Sequence, residues 1–165
     1  MSIEIREARS DEYAAAGEVT AEAYREFVHD GDSDWHEYLD RIADVEDRAT
    51  RTTILVAVES DQLLGSATLE LDGRTEAEDG ALAPHEAHIR MLGVAPEVRG
   101  RGIGRLLMDA CERWALGAGR TMVSLHTTQR MQAAQAMYEA LGYERGEDRV
   151  FPDGFVLLSY TKHLV

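Results

Sequence analysis

Three glycines at alternate positions follow an apolar segment and open a helix-like segment. They are interleaved with arginines, giving Arg99, Gly100, Arg101, Gly102, Ile103, Gly104 and Arg105. Glycine permits backbone conformations that other residues avoid, so several N–H groups of such a turn can converge on one anion. The N-terminus of the following helix adds the positive end of its dipole at the same place. The residues from Arg99 to Arg105 therefore predict a phosphate-binding site.

Two other phosphate-binding motifs are disfavoured by residue type and spacing. A P-loop requires a lysine directly after its second glycine, whereas the only lysine of this chain is Lys162. A dinucleotide-binding turn requires Gly-x-Gly-x-x-Gly and an acidic residue after the next strand. Here the spacing is Gly-x-Gly-x-Gly, and the next strand leads into Thr127, Thr128 and Gln129. Nucleotide hydrolysis and dinucleotide-dependent redox chemistry are therefore both unfavoured interpretations.

The same turn resembles a known signature. Arg99-x-x-Gly102-x-Gly104 is similar to the Gln/Arg-x-x-Gly-x-Gly/Ala motif of the GNAT superfamily, the acyl-coenzyme A-dependent N-acyltransferases, and residues 133–143 are similar to that family's Ala-x-x-Leu-Tyr-x-x-x-Gly-Phe helix end. The resemblance is close over about residues 86 to 145. It implies an α/β fold with a mixed, mostly antiparallel sheet, a parallel β-α-β unit at the cofactor site and helices on both faces. It also implies acetyl-coenzyme A as the acyl donor.

The resemblance further implies roles for individual residues. The turn would hold the pyrophosphate of coenzyme A, and the backbone N–H groups of Leu92 and Val94 would bind the pantetheine arm and the thioester oxygen after a β-bulge. Gly93 between them permits such a bulge. Tyr138 would donate a proton to the departing thiolate. Because Tyr138 also lies on an apolar helix stripe, a purely structural role is the alternative.

Acyl transfer to an amine also requires that the amine lose a proton. The family's usual Glu lies eleven residues before the first motif residue, and this position is His88 in the present chain. Glu86 lies on the same face of a regular strand. Histidine can act as a general base near neutral pH, directly or through water. The alternative is that His88 only lines the cleft and the amine loses its proton to solvent.

An acceptor site is expected between the first two helices. Tyr24 and Phe27 lie close in sequence to the acidic segment 29–35, and aromatic and acidic groups together can bind an ammonium group. A solvated loop beside core aromatics is the alternative. The net charge of −14 disfavours nucleic acid and anionic membrane surfaces as partners and suggests a cationic acceptor, although an acidic surface also serves solubility.

Composition indicates one domain over residues 1–165, in the size range that buries most of its core. No long apolar segment or signal peptide is apparent, so we expect a cytoplasmic protein. Cys111 lies on the apolar face of a helix and is expected in the core. No metal site is predicted, because His85, Glu86 and His88 lack helical ligand spacing and a further ligand. Ser124 lacks a nucleophile elbow, which disfavours a hydrolytic triad.

The chemistry-bearing residues require supporting helices and strands. The predicted order is β-α-α-β-β-β-α-β-α-β-β, with strands over 3–6, 53–58, 63–71, 121–126 and a last hairpin between Val150 and Lys162, and with helical stripes ending at Phe27, Val45 and Ala115. We expect acetyl transfer to a primary amine within a ternary complex. The acceptor would be a small molecule, a protein N-terminus or a lysine, and a homodimer is left open. The alternative function is a non-catalytic acyl-coenzyme A sensor.

Overall fold

The structure, a computed structural model, describes residues 2–28, 33–76 and 79–164. Eight strands within these ranges form one sheet. They are β1 (Glu4–Glu7), β2 (Thr53–Glu59), β3 (Gln62–Glu70), β4 (Glu86–Val94), β5 (Met122–Thr128), β6 (Glu144–Arg145), β7 (Arg149–Val150) and β8 (Val156–His163).

The strand order is β1-β2-β3-β4-β5-β8-β6, and β7 also pairs with β8. Neighbouring strands are antiparallel except β4 and β5, which are parallel. The predicted mixed sheet with one parallel β-α-β unit is therefore confirmed. The last hairpin is also confirmed, since Gly154 has a φ of +89° in the connection between β7 and β8.

Helices cover both faces of the sheet. They are α1 (Tyr13–Arg25), α2 (Ser33–Ala43), α3 (Val45–Ala49), α4 (Ile103–Gly117) and α5 (Gln132–Ala140). Ile54 and Val56 of β2 pack with Ala16 of α1 and Val45 of α3. Their neighbours Leu55 and Ala57 face the other way, into the core formed with α4 and α5. Because successive side chains of a strand point to opposite faces, β2 contributes alternate residues to the two cores on either side of the sheet. None of the described helices combines the length and apolarity that a membrane crossing requires.

Two predicted helix boundaries were wrong. The first helix ends at Arg25, so Phe27 lies in the turn that follows it. The second ends at Ala43, and Val45 begins the short α3 instead of continuing the stripe of α2. Asp44 causes this interruption: its side chain accepts a hydrogen bond from the amide of Asp47 at 3.2 Å, which caps a new helix.

The apolar face of α4 was predicted correctly at most positions. Ile103, Leu107 and Cys111 are buried, and burial raises the pKa of the Cys111 thiol to about 12. The prediction that Leu106 is buried was wrong, because Leu106 is 40 % exposed, whereas Met108 is fully buried. The helix therefore turns its buried stripe slightly away from Leu106, because α4 packs across β2, β3 and β4.

Candidate active site

The parallel strands β4 and β5 separate part-way along their length. They pair only from Glu86 to Ile89 on β4, whereas β4 continues to Val94 and β5 to Thr128. On its other side β4 stays paired with β3, but the register shifts between Arg90 and Gly93. This shift is a β-bulge, which bends the strand. The bulge and the early end of pairing together open a gap between the two strands.

The bulge occurs at Met91 and Leu92, one step before the position expected from Gly93. Met91 has a φ of +53°, a left-handed conformation that costs energy for a residue with a side chain. Gly93 serves a different purpose, because a Cβ there would lie 3.0 Å from Cα of Thr20 and 3.2 Å from Cβ of Ala23. The missing side chain allows α1 to approach the strand.

Backbone amides line the open edge of β4. The amide of Ala95 donates to the carbonyl of Leu64 on β3 at 2.8 Å. Because successive amides of a strand point to opposite edges, that of Val94 points toward the gap, whereas Leu92 lies within the bulge. Val94 therefore presents its amide at the opening between β4 and β5. Amides in this position can bind a carbonyl oxygen or an extended chain.

The glycine turn presents further unpaired amides. Gly100 and Gly102 have φ values of +86° and +79°, and a Cβ at either would meet no atom within 4 Å. None of the amides from Gly100 to Arg105 donates to a carbonyl or a side chain in the described residues, and the first helical bond runs from Leu106 to the Gly102 carbonyl at 3.1 Å. The turn is therefore open, left-handed and rich in donors.

Ile103 and Gly104 contribute to the turn in different ways. The side chain of Ile103 is buried in the core, which leaves only its backbone for a ligand. A Cβ at Gly104 would lie 3.2 Å from Sδ of Met137, so this glycine also lets α4 and α5 pack together. The contact joins the predicted phosphate turn to the helix that carries Tyr138.

The three arginines of the motif differ in their partners. Arg99 pairs with Glu26 of the α1 terminus at 2.5 Å, and Arg101 pairs with Glu59 at 2.7 Å. Arg105 is exposed, and no carboxylate within the described ranges pairs with it. Arg99 and Arg101 each pair with an acid, which offsets part of their positive charge, but a guanidinium has further N–H donors that a phosphate can use.

Tyr138 lies in an aromatic cluster of the core. Its ring centroid is 5.7 Å from that of Tyr160 and 6.1 Å from that of Tyr143. Burial, with smaller effects of Cys111 and Tyr160, raises the pKa of Tyr138 well above its ordinary value. No hydrogen bond joins its hydroxyl to any described residue. The phenol therefore keeps its proton at neutral pH.

Tyr24 packs on the other face of the sheet, against the cluster that contains Ile42 and Met91. Burial, followed by the neighbouring hydroxyls of Tyr38 and Tyr138, raises the pKa of Tyr24. Phe27 is half-buried, and its carbonyl accepts a hydrogen bond from Arg130 at 2.8 Å. Of the acidic segment proposed beside them, residues 29–32 lie outside the described residues.

Glu86 and His88 share one face of β4, as predicted, but neither side chain is free. The Glu86 carboxylate accepts hydrogen bonds from the Ser124 hydroxyl at 2.5 Å and from the Ala83 amide at 3.1 Å. His88 is 4 % exposed, and both of its ring nitrogens are bonded. Glu86 and His88 therefore do not form a pair of catalytic bases. His88 does not itself reach the open cleft.

The partners of His88 were missed by sequence reasoning. Its Nδ1 lies 2.8 Å from Oε1 of Glu70 on β3, and its Nε2 lies 3.0 Å from Nδ1 of His126 on β5. Glu70 has no exposed surface, whereas His126 is exposed. An acidic residue at the end of an otherwise apolar strand was the available signal for Glu70. For His126, the signal was its two-residue offset from Ser124 on the strand beside β4.

The Glu70 carboxylate is strongly stabilised as an anion. Burial alone would raise its pKa, but the hydrogen bonds from His88 and from the Thr75 amide outweigh burial and hold the pKa at about 2. Arg74 lies 3.1 Å and Arg90 3.8 Å from the same carboxylate. Glu70 is therefore a buried anion that accepts hydrogen bonds and donates none.

A second buried charge lies on this face of the sheet. Arg48 is 1 % exposed and donates to the Thr68 hydroxyl at 3.0 Å and to the Arg41 carbonyl at 2.9 Å. Burial lowers its pKa to about 10. No carboxylate lies within ion-pair distance of it in the part of the chain described. The face of the sheet under α1 to α3 thus combines apolar clusters with buried polar groups, whereas the face under α4 is mainly apolar.

Comparison with known proteins identifies proteins with the same arrangement. The family model of the acetyltransferase (GNAT) family matches residues 13–143. An acetyltransferase of the GNAT family from Staphylococcus aureus Mu50 is 18 % identical and has a TM-score of 0.74, with 99 % of this chain and 100 % of that chain covered.

Two other similar structures carry more specific names. yncA from Salmonella typhimurium, solved with its cofactor acetyl-CoA, is 20 % identical with a TM-score of 0.72, covering 100 % of this chain and 95 % of that one. The ribosomal-protein-S18-alanine N-acetyltransferase from Escherichia coli is 15 % identical with a TM-score of 0.70, covering 99 % and 94 %. At these identities the similarity establishes a shared fold.

Proposed function

The chain belongs to the acetyltransferase (GNAT) family, and on that premise we propose that it transfers the acetyl group of acetyl-coenzyme A directly to a primary amine while both substrates are bound. One observation carries the proposal. The open edge of β4 at Leu92 and Val94 is followed, after the one-turn helix Pro96–Val98, by the donor-rich turn from Gly100 to Arg105. An extended chain that ends in phosphates fits these two successive groups of donors.

The donor substrate is acetyl-coenzyme A, the cofactor in the similar yncA structure. Amides of the glycine turn bind its pyrophosphate, because a helix N-terminus and left-handed glycines together favour an anion. The amides of Leu92 and Val94 bind the pantetheine arm and the thioester oxygen. A hydrogen bond to that oxygen stabilises the negative charge that develops when the amine attacks.

Tyr138 is the proposed general acid. The reaction releases a thiolate, which is a better leaving group when it receives a proton. A phenol whose pKa is raised by burial remains protonated until the thiolate forms beside it. Its freedom from hydrogen bonds within the described ranges supports this assignment, because no existing bond has to break first.

The acceptor is a primary amine that approaches between α1, α2 and the β7–β8 hairpin. The ring centroid of Trp35 on α2 lies 5.8 Å from that of Phe155 and 5.6 Å from that of Tyr38. Aromatic groups therefore line the proposed acceptor approach. Tyr24 and Phe27 are the proposed acceptor contacts. Aromatic faces and the net charge of −14 favour a cationic acceptor.

A coupled assay tests the proposal. Release of free thiol from acetyl-coenzyme A is measured with a polyamine, an aminoglycoside, free amino acids, a lysine peptide and an alanine-terminated peptide, since one similar structure is named for a ribosomal-protein alanine. We expect amine-dependent thiol release and an acetylated product by mass spectrometry. Tight acetyl-coenzyme A binding without turnover on any amine would instead favour the acyl-coenzyme A sensor.

A further inference from the structure

Glu70, His88 and His126 form a continuous chain across three neighbouring strands. The Glu70–His88 contact is 2.8 Å and the His88–His126 contact is 3.0 Å. Burial decreases along this chain, from a carboxylate without exposed surface to an exposed imidazole. The chain thus connects a buried negative charge with the cleft. His126 directly follows Leu125, the last residue of β5 that pairs with β4, so it lies where the gap begins.

The chemistry of the three groups determines where the protons lie. The Glu70 carboxylate can only accept, so Nδ1 of His88 donates to it. With His88 neutral, its Nε2 is an acceptor, and Nδ1 of His126 must therefore be the donor. A neutral imidazole carries one proton, which leaves a lone pair on Nε2 of His126. No described residue forms a hydrogen bond with that nitrogen.

We propose that Nε2 of His126 removes the proton from the acceptor ammonium, and that His88 and Glu70 stabilise the charge that results. The inference rests on the function proposed above. One N–H bond of the ammonium breaks as the Nε2–H bond of His126 forms. The Nδ1–H bond of His126 then breaks as the Nε2–H bond of His88 forms. The freed amine lone pair attacks the thioester carbon, the C–S bond breaks as the thiolate takes the Tyr138 proton, and the second N–H proton of the amine leaves to water, from which Tyr138 regains its own. The reverse transfers return the first proton from the histidines to water.

The transfer to His88 is what makes His126 effective. Partial burial, followed by the electrostatic effects of His88 and Arg90 on β4, lowers the pKa of His126 to about 4. In the loop after β3, Asp79 raises this pKa and Arg74 lowers it. His126 alone is therefore a weak base. A proton passed on to His88 instead lies against the ionised Glu70 carboxylate, where opposite charges stabilise each other. In this proposal His126 contacts the ammonium, and His88 carries the resulting positive charge beside Glu70.

The kinetics of a His126→Ala variant test whether Nε2 of His126 removes the proton from the acceptor ammonium. We expect kcat/KM to fall by about 10- to 100-fold with unchanged acetyl-coenzyme A affinity and melting temperature, and added imidazole to restore part of the rate. His163→Ala, which removes an exposed histidine at the end of β8, is the matched control and should keep full activity. An active wild type with an equally active His126→Ala variant would overturn the proposal and leave the proposed function intact.

Glu70→Gln tests the charge at the other end of the chain. The amide oxygen can still accept from His88, but the negative charge is gone. We expect the plateau of kcat/KM to fall and the acid limb of its pH profile to move to lower pH, because protonated His88 is no longer stabilised. A purely structural role of Glu70 predicts an unchanged acid limb, and that result would contradict the relay.

The proton positions have a readout that needs no substrate. Nitrogen-15 NMR of the imidazole rings should show His126 with its proton on Nδ1 at neutral pH, and His88→Ala should abolish that preference. A proton on Nε2 of His126 would overturn the proposal, since that atom would then have no lone pair. A wild type that acetylates no amine would overturn the proposed function and the relay together, whatever the NMR result.

Discussion

Gly93 of β4 lies against Thr20 of α1 so closely that a Cβ at Gly93 would be 3.0 Å from the Thr20 Cα. The neighbouring atom belongs to backbone, so α1 can make room only by moving as a whole. The glycine therefore sets the distance between the acceptor-side helix and the strand whose amides face the gap.

Gly93→Ala should consequently destabilise the protein. We expect a loss of about 1–3 kcal/mol in the free energy of unfolding, as for other overpacked positions. Urea denaturation measures it. Gly117→Ala is the matched control, because a Cβ at the end of α4 would meet no atom within 4 Å. Equal stability of the two variants would show that α1 does not depend on the missing side chain.

Gly102→Asp should abolish acetyl-coenzyme A binding measured by calorimetry. The added carboxylate would lie among the turn amides and repel the pyrophosphate. Gly119→Asp offers a close control, since Gly119 has a φ of +80° against +79° for Gly102 and equally open surroundings. Both variants carry the same left-handed strain of about 1–2 kcal/mol. Retention of normal binding by folded Gly102→Asp would show that the turn does not hold the cofactor.

Tyr138→Phe should lower kcat by about 100-fold while acetyl-coenzyme A affinity and melting temperature stay nearly unchanged, because only the hydroxyl is removed. Tyr143→Phe provides the contrast. Its hydroxyl donates to Glu112 at 2.9 Å, so its loss should reduce stability without lowering kcat. Full turnover of Tyr138→Phe, or a rate that falls in step with stability, would make the hydroxyl structural.

Acid unfolding should depend on Glu70. Its pKa is lowered from 4.5 to about 2 in the folded protein, so the unfolded chain takes up a proton more readily. The stabilisation is therefore complete above about pH 5 and is lost as the pH falls toward 2; it amounts to about 3 kcal/mol. Urea denaturation at several pH values should show a shallower loss for Glu70→Gln than for wild type. Parallel curves would show that the Glu70 carboxylate is not held as an anion.

The sequence determined the elements whose signals are local. The alternating glycines predicted the turn, and the 3.6-residue period from Ile103 to Ala115 predicted α4, because dihedral preference and helix periodicity operate within a few neighbouring residues. Leu106 shows the limit of periodicity. Its exposure depends on how far α4 is rotated against β2 and β3, and the packing of distant strands decides that rotation.

The tertiary structure alone decided which polar groups meet. Glu70 lies 18 positions from His88, His88 lies 38 positions from His126, and Arg101 lies 42 positions from its partner Glu59. Such contacts follow from strand register and order, which the hydrogen-bond ladder sets between whole strands. One residue type at one position carries no information about its partner across the sheet. The glycine turn could therefore be predicted from the sequence, whereas the contacts from Glu70 through His88 to His126 could be seen only in the tertiary structure.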